Sequence, residues 1–266
     1  MKQTLKTILN QGKQILGVMI QDFLSPIVLP SLKQAGFDFV VIDQEHGPAY
    51  LQDIQNFVLS KPTPEFSVIV RVSTISYENI ARVLDMGADG LMIPHVDTIE
   101  QLQEVIRCAK YPPLGERSYG MRGALAPYSI GKTRKEYIRD ANEHTILFIQ
   151  IETPSAVKIA RELSDYDAID GVIMGPADFT MNMGKIGEFE HPQFEAAAQE
   201  ILDQCQQSEK GFGIHFGELR LTKKWQQKGM NILLFSSVMG FIKQKAAEIN
   251  QEIRKTQNQD EEHSVY

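Results

Sequence analysis

The sequence predicts a (β/α)8 barrel of parallel strands, the TIM-barrel class. Short apolar runs alternate with amphipathic segments along the whole 266-residue chain, as they do in repeated βα units around a parallel sheet. We count eight such runs, the number of strands that closes this barrel. Because α/β barrels of this length often form one domain, we expect a single barrel over residues 1–256 and a polar, frayed tail over residues 257–266.

The predicted strands recur from the N-terminal region to the end of the chain. They run from Leu16 to Gln21, Phe37 to Asp43, Ser67 to Val72, Gly90 to Val96, Ile146 to Glu152, Gly171 to Gly175, Phe212 to Phe216 and Asn231 to Phe235.

Helix start and stop signals lie between these strands. Ser25-Pro26 offers an N-cap residue followed by proline at the first helical position, and Gly36 offers a stop before the second strand. Thr98 with Gln101 forms a capping box ahead of an apolar stripe.

The same signals mark the second half of the chain. Thr153-Pro154 repeats the pattern of an N-cap residue and a proline. The last helix is predicted from about Gly240 to Ile253, before the polar tail.

Composition excludes several classes of protein. The formal net charge of -7 argues against a nucleic-acid partner, since such proteins concentrate Lys and Arg on one face. Cys108 and Cys205 are far apart and form no C-x-x-C pair, so neither a disulfide framework nor a thiolate metal site is indicated. No signal peptide or run of 18 apolar residues is present. We therefore expect a cytoplasmic protein without a membrane segment.

Two predicted strands end with a single carboxylate at the start of a helix. Glu152 follows the run that begins at Ile146, and Asp178 follows Gly175-Pro176-Ala177. Parallel barrels place their chemistry at this end of the strands. Two carboxylates can hold one hard cation when water and substrate complete its coordination, so we expect Mg²⁺, with Mn²⁺ or Co²⁺ as alternatives.

Two further residues complete a plausible catalytic set at the same end. Arg71 lies near the end of the third strand, and His46 lies just after the second. A cation held by Glu152 and Asp178 would stabilise negative charge on the keto oxygen of a 2-oxo acid. Arg71 would hold the carboxylate or the oxyanion, and His46 would move the proton that carbon–carbon bond chemistry requires.

The main rival for this chemistry is a lysine that forms a Schiff base with the substrate. Such a lysine would have to project from a strand into the barrel mouth. None of the eight predicted strands contains a lysine, and Lys210 precedes the seventh strand at the opposite end. This pattern favours the metal route.

Each candidate also has a purely structural interpretation. Asp178 could cap the following helix, Glu152 and Arg71 could form structural ion pairs, and His46 could be an ordinary loop histidine. Their joint position at strand ends favours the functional interpretation. His95 and His215 also lie late in their strands, where they either contact an anionic substrate or pack.

Several motifs, taken in order, resemble the HpcH/HpaI aldolase family over roughly residues 5–245. They are Gly36-Phe37-Asp38-Phe39-Val40-Val41-Ile42-Asp43, Glu45-His46-Gly47-Pro48, Gly87-Ala88-Asp89-Gly90-Leu91-Met92-Ile93-Pro94, Tyr111-Pro112-Pro113, and the segments that carry Glu152 and Asp178.

The resemblance implies a metal-dependent class II aldolase, usually a hexamer that exchanges its last helix between neighbours. It implies that Glu152 and Asp178 bind the metal, that Arg71 meets the 2-oxo acid and that His46 serves acid–base chemistry. By the same resemblance Gln150 lies near the metal, and Asp85 pairs with the histidine across a subunit boundary.

The same resemblance implies that the Gly175-Pro176-Ala177 segment contributes to substrate binding. Two loops depart from the family pattern. Gly115-Glu116-Arg117-Ser118-Tyr119-Gly120 replaces a Gly-x-Arg-Gly-x-Gly loop, and Ser236-Ser237-Val238 replaces Gly-Ser-Asp after the last strand.

Three functions remain open at this point. The first is an aldolase that acts through the enolate of a 2-oxo acid such as pyruvate. The second is a synthase on the same barrel that joins oxaloacetate and acetyl-CoA, as the citrate synthases of siderophore pathways do. The third is a non-catalytic 2-oxo acid binding protein.

Overall fold

A computed structural model describes residues 4–120 and 132–263. Eight parallel strands pair in chain order and close into a barrel, which confirms the predicted fold class. The strands are β1 (Ile15–Ile20), β2 (Phe39–Asp43), β3 (Ser67–Arg71), β4 (Gly90–Ile93), β5 (Ile146–Ile151), β6 (Gly171–Met174), β7 (Gly211–Ile214) and β8 (Ile232–Ser237).

Helices surround the barrel in the order expected of βα units. They are α1 (Leu5–Asn10), α2 (Val28–Gln34), α3 (Leu51–Leu59), α4 (Tyr77–Asp85), α5 (Ile99–Ala109), α6 (Arg134–His144), a 3₁₀ helix (Pro154–Asp165), α7 (Pro176–Asn182), α8 (Pro192–Gln207), α9 (Leu219–Lys228) and α10 (Val238–His263). The predicted caps at Thr98 and Thr153 are both present, each accepting a backbone hydrogen bond.

Two apolar layers build the barrel. Alternate residues of the strands, among them Phe39, Ile69 and Phe148, fill the interior together with residues from α1, and the other residues pack outward against the helices. Gly17 is required here because a Cβ would lie 2.2 Å from the ring of Phe39. The alternation of strand side chains thus decides which residues face the barrel axis.

The strand starts carry a repeated side-chain lock. The residue just before each even-numbered strand donates its backbone N–H to the second residue of the preceding strand, and its side chain accepts the N–H of that same residue. The four pairs are Asp38 with Leu16, Asp89 with Val68, Asp170 with Leu147 and Asn231 with Phe212.

Several predicted boundaries differ from the observed ones. β4 ends at Ile93, before the predicted Val96, because Pro94 has no N–H and His95 has a φ of 55° that leaves the strand conformation. The predicted cap at Ser25 is wrong: Ser25 and Pro26 form a turn, and α2 begins two residues later with Ile27 as its N-cap.

The last helix leaves the barrel. Phe241 packs on Phe37 and Phe235, whereas Ile242, Ile249 and Ile253 are 52%, 47% and 57% exposed. The helical backbone continues to His263, so the fraying predicted from residue 257 stays a prediction. Within the described ranges, no helix combines the length and apolar character that crossing a bilayer requires.

Candidate functional site

The alternation of strand side chains brings polar residues to the C-terminal mouth of the barrel. Asp43 continues the inward row of Phe39 and Val41 on β2, and Arg71 continues that of Ile69 on β3. On β5, Gln150 follows the inward-facing Phe148. Each of these polar residues therefore lies one step above the apolar interior.

A buried ion pair fixes Arg71. Its Nε donates to Oδ1 of Asp43 at 2.9 Å and its Nη2 donates to Oδ2 at 2.6 Å. Asp43 also accepts from Gln21 and from the backbone N–H groups of Glu45 and His46. Burial raises the pKa of Asp43, but the bonds and charge of Arg71 outweigh it and hold that pKa below its ordinary value. The guanidinium is thus preorganised in one orientation.

Glu45 connects this pair to the other side of the mouth. Its Oε2 lies 3.1 Å from Nη1 of Arg71, in ion-pair contact but without the geometry of a hydrogen bond. Its Oε1 lies 2.7 Å from Nε2 of His95. A continuous chain of charged contacts therefore runs from β3 to the loop after β4.

Glu152 is a buried acceptor at the far end of this chain of contacts. The backbone N–H of His95 donates to Oε2 at 3.1 Å, and Nδ1 of the same residue lies 3.1 Å from that oxygen. Gln150 donates to Oε1 at 2.6 Å. Burial raises the pKa of Glu152, and the negative charges of Glu45 and Asp178 add to this effect despite the opposing contacts of His95.

Two features indicate that the space beside Glu152 and Gln150 can hold a ligand. The Oε1 atom of Gln150 is buried and has no hydrogen-bond partner among the described residues, which is costly unless a ligand or water supplies one. At Gly175 a Cβ would lie 2.8 Å from Oε1 of Glu152. Glycine therefore keeps open the space beside the two polar side chains.

The donor set fits a hard divalent cation. Glu152 and Asp178 offer carboxylate oxygens, and each is close enough to the other for Asp178 to raise the pKa of Glu152. In the part of the chain that the structure describes, no three His, Cys, Asp or Glu side chains converge as a complete metal site. The protein would thus supply two ligands, and water and substrate the rest, as Mg²⁺ tolerates.

The segment before Asp178 shapes the same space. Gly175 is the N-cap of α7, Pro176 is its first residue and is buried, and Ala177 is exposed. Asp178 lies in the first turn and is half-buried. Gly175 therefore stands directly beside Glu152, and Pro176 and Ala177 precede Asp178 in the first turn of α7.

His46 and Asp85 are placed apart. The side chain of His46 is 62% exposed, and its Nε2 lies 3.9 Å from Glu45. Asp85 is the last residue of α4, near the start of β4, and pairs with Arg117. Within one chain these two residues lie at opposite ends of the barrel, so any pairing between them requires a second copy.

The sequence patterns do not single out Asp43 or Glu45 as site residues, and they leave His95 undecided. Asp43 carries a usable signal, since it shares the parity of the inward row on β2. The position of Glu45 depends on the loop conformation after that strand. His95 reaches Glu152 because of its positive φ, which no pattern of residue types reveals.

His215 occupies the mouth between β7 and β8. Its Nε2 lies 3.1 Å from the carbonyl oxygen of Ser236. Burial lowers the pKa of His215, and the charge of Arg71 adds to this effect against the contact with Ser236. Burial and the charge of Arg71 thus both favour the neutral form of the ring.

Known proteins resemble this chain in sequence. The family model for HpcH/HpaI aldolase/citrate lyase matches residues 23–234. A 4-hydroxy-2-oxo-heptane-1,7-dioate aldolase of Escherichia coli is 31% identical over 229 residues, which cover 86% of each chain.

Solved structures give the same grouping. The HpcH/HpaI aldolase from Desulfitobacterium hafniense is 27% identical with a TM-score of 0.88, over 95% of this chain and 97% of that one. The citrate synthase SbnG is 25% identical with a TM-score of 0.82, over 96% of this chain and 99% of that one.

Proposed function

The chain belongs to the HpcH/HpaI aldolase/citrate lyase family, and from this premise we propose how its barrel mouth works. It is an enzyme of the aldolase type or a synthase built on the same barrel. Its reaction forms or breaks a carbon–carbon bond through the enolate of a 2-oxo acid, with a divalent cation as cofactor. Pyruvate is the simplest such acid.

One observation carries the proposal: negative charge exceeds positive charge at the mouth. Among the described residues, the linked side chains comprise four carboxylates, Asp43, Glu45, Glu152 and Asp178, against the guanidinium of Arg71 and the imidazole of His95. Buried carboxylates without enough counter-charge destabilise a fold unless a cation joins them. The excess is greatest around Glu152, beside the orphaned acceptor of Gln150.

Glu152 and Asp178 would hold the cation, which when bound supplies a Lewis acid that stabilises negative charge developing on the keto oxygen. Mg²⁺ suits two carboxylate oxygens with water and substrate in the remaining positions, and Mn²⁺ or Co²⁺ would suit the same ligands. Gln150 would contribute a contact beside the metal or the substrate through its unpartnered oxygen.

Arg71 would bind the carboxylate or the oxyanion of the 2-oxo acid. Asp43 fixes two of its nitrogens, while Nη1 is held only by the ion pair with Glu45. That third nitrogen is therefore the one that a substrate oxygen would engage. The absence of a side chain at Gly175 lets the substrate approach Glu152, with Pro176 and Ala177 forming the adjoining wall.

His46 would carry the proton, directly or through water. In the cleavage direction the base accepts the proton of the 4-hydroxyl group, the bond between carbons 3 and 4 breaks, and an aldehyde leaves. The electron pair remains as the enolate of pyruvate, which then takes a proton at carbon 3. Exposure of His46 at the mouth suits it to both transfers.

For this chain we propose a substrate of the same chemical class as that of its relatives. A 4-hydroxy-2-oxo acid with a second carboxylate, cleaved to pyruvate and a carboxylated aldehyde, fits a mouth that presents Arg71 and two further histidines, His95 and His215. The alternative is a condensation of oxaloacetate with acetyl-CoA. The same two histidines favour it as well, since they add polar contacts for a more anionic substrate.

A homo-oligomer, a hexamer by resemblance, would complete the enzyme. The stripe of Ile242, Ile249 and Ile253 on α10 is too exposed for an isolated chain in water. Exchange of this helix between neighbours would bury the stripe. It would also allow Asp85 of one copy to approach His46 of another.

One paired assay separates the two reactions. Protein loaded with Mg²⁺ receives pyruvate with an aldehyde in one arm and oxaloacetate with acetyl-CoA in the other. We expect aldol turnover in the first arm and no thiol release in the second. Thiol release without aldol turnover would overturn the aldolase assignment in favour of the synthase, and neither product would overturn both.

A further inference from the structure

We propose that Arg117 is a positioning residue for the acid–base step: it orients the carboxylate of Asp85 toward His46 of a second copy. This inference rests on the proposed function, because it assumes that Asp85 and His46 meet across a subunit boundary. It assigns a role to Arg117 in the loop of residues 115–120, which keeps the arginine of its family's pattern and departs from that pattern at Ser118.

The contact between Arg117 and Asp85 is close and one-sided. Nη2 of Arg117 donates to Oδ1 of Asp85 at 2.7 Å. No hydrogen bond to Oδ2 is found among the described residues, and the Asp85 side chain remains 19% exposed. Arg117 thus holds one oxygen, while Oδ2, which lies beside Gly120, keeps its capacity to accept a hydrogen bond from an incoming imidazole.

The energetic setting argues against a purely stabilising pair. Arg117 is 4% exposed, and its buried Nε has no hydrogen-bond partner in the described residues. Asp85 is the last residue of α4, where the helix dipole disfavours a negative charge. A buried guanidinium with an orphaned donor and a carboxylate at the wrong helix end are both costly. Departures of this kind from local energetic rules are expected at functional sites.

The loop that carries Arg117 is rigidly fixed. Arg117 donates its backbone N–H to Lys110, and Glu116 donates to Arg107, at the end of α5. At Gly115 a Cβ would lie 2.4 Å from the carbonyl oxygen of Lys110, so only glycine lets the loop approach the helix this closely.

The guanidinium and the rest of the loop are anchored too. The guanidinium lies over the ring of Tyr111, 4.7 Å from its centroid. Ser118 donates its N–H to the hydroxyl of Tyr77 on α4. Arg117 therefore reaches Asp85 from a fixed platform, which is what holding a carboxylate in one orientation requires.

The barrel topology keeps the carboxylate of Asp85 away from His46 of the same chain. His46 follows β2 at the mouth, whereas Asp85 precedes β4 at the opposite end. The exposed His46 has Glu45 as its described charged neighbour, at 3.9 Å. Within one chain His46 and Asp85 cannot meet. Between two copies the carboxylate of one would serve the imidazole of the other.

The test compares Arg117→Ala, Arg117→Lys, Asp85→Asn and the Arg117→Ala/Asp85→Asn double variant in the Mg²⁺-loaded oligomer. We expect Asp85→Asn to lower kcat about 10²-fold, the scale of a lost acid–base contribution. Arg117→Ala should lower kcat by about tenfold or more with KM nearly unchanged, and the double variant should be no slower than Asp85→Asn. Arg117→Lys should recover part of the loss, since lysine keeps the charge but not the planar fork.

Arg107→Ala is the matched control. Arg107 pairs with Glu104 and Glu116 beside the same loop but is 42% exposed, so kcat should be unchanged. Multiplying losses of Arg117→Ala and Asp85→Asn in the double variant would overturn the inference. So would an Arg117→Ala variant that loses only thermal stability.

A second readout does not depend on turnover. In protein with ¹³C-labelled histidine, the ring signal of His46, assigned with His46→Gln, should move in Asp85→Asn and move the same way in Arg117→Ala. An inactive protein with this shared shift would refute the proposed function and retain the role of Arg117. A His46 signal that responds to Asp85→Asn but not to Arg117→Ala would refute the role alone, and a signal that responds to neither would refute the contact.

Discussion

The two ends of the barrel differ in how far their carboxylates are balanced by cationic side chains. At the N-terminal end Asp89, which is partly buried, and Asp170, which is buried, each have a lysine partner and a backbone donor: Asp89 pairs with Lys61 at 2.7 Å and Asp170 with Lys6 at 2.9 Å. At the mouth, among the described residues, four carboxylates are linked to the guanidinium of Arg71 and the imidazole of His95. Balanced pairs stabilise the strand starts, whereas the imbalance at the mouth leaves room for a cation and an anionic substrate.

Hydrogen bonds from the backbone to side chains show a further contrast. The strand starts are locked by four equivalent side-chain bonds. At the mouth, His95 and Ser236 both have a φ of 55°, a conformation that costs roughly 1–3 kcal/mol in a residue other than glycine. Glu209, just before β7, shares this φ, so backbone strain occurs at both ends, and the contrast lies in the four equivalent side-chain bonds at the strand starts.

The largest expected effect comes from removing the carboxylates at the mouth. Glu152→Ala and Asp178→Ala should each abolish metal-dependent activity, since either change leaves one protein ligand. The thermal midpoint should hold or rise, because removing a buried like charge relieves repulsion. Full activity after chelation and reloading with Mg²⁺ in either variant would contradict the assignment.

Arg71→Lys should have the next largest effect. Lysine keeps the charge but cannot bind Asp43 through two parallel bonds. We expect kcat/KM for the 2-oxo acid to fall by about 10²-fold, the cost of losing a charged contact of roughly 2–3 kcal/mol. An unchanged kcat/KM would show that Arg71 serves only the ion pair.

A change at the opposite end should separate stability from activity. Asp170→Ala leaves Lys6 without its partner and the N–H of Leu147 without its acceptor. We expect a loss of about 3 kcal/mol in the free energy of unfolding, as for other broken buried pairs, with kcat of the folded enzyme unchanged. Urea unfolding beside steady-state kinetics measures both. A fall in kcat with intact stability would mean that the two ends are not independent.

A pH dependence of stability, without an effect on the mouth, is expected at the strand starts. Lys110 donates to the carbonyl oxygens of Asn142 and Thr145, and burial lowers its pKa from 10.5 to about 7. Between these values the unfolded chain binds more protons than the folded one, so stability relative to Lys110→Met should rise as pH rises from 7 to 10.5. The slope should be of order 1 kcal/mol per pH unit.

Below that window both states of Lys110 are protonated, so the difference between wild type and Lys110→Met should level off. Since all other titrating groups are shared, the subtraction isolates Lys110. A flat difference across the window would show that the buried ammonium keeps its ordinary pKa.

Much of the barrel and its candidate site follows from the sequence. Period-two strands and their order give the fold, and carboxylates at strand ends point to Glu152 and Asp178. The absence of lysine from the predicted strands holds for all eight strands of the structure. These features depend on local sequence patterns, which the residue types show directly.

Other parts of the site depend on backbone geometry and on long-range contacts. The bridge from Glu45 through His95 to Glu152 exists because one non-glycine residue adopts a positive φ. The pairing of Arg117 with Asp85 joins residues 32 positions apart. The long connection from Tyr111 to Arg134 has a length typical of functional loops, and its residues 121–131 lie outside the described residues.

Exchange of the methyl protons of pyruvate for solvent deuterium tests the central claim most directly, because it reports enolate formation without any electrophile. In D2O with Mg²⁺, NMR should show exchange catalysed by the wild-type protein, lost on chelation, and absent in Glu152→Gln, a variant that keeps the size of the side chain. Exchange that continues at the wild-type rate in Glu152→Gln or without a divalent cation would contradict the account.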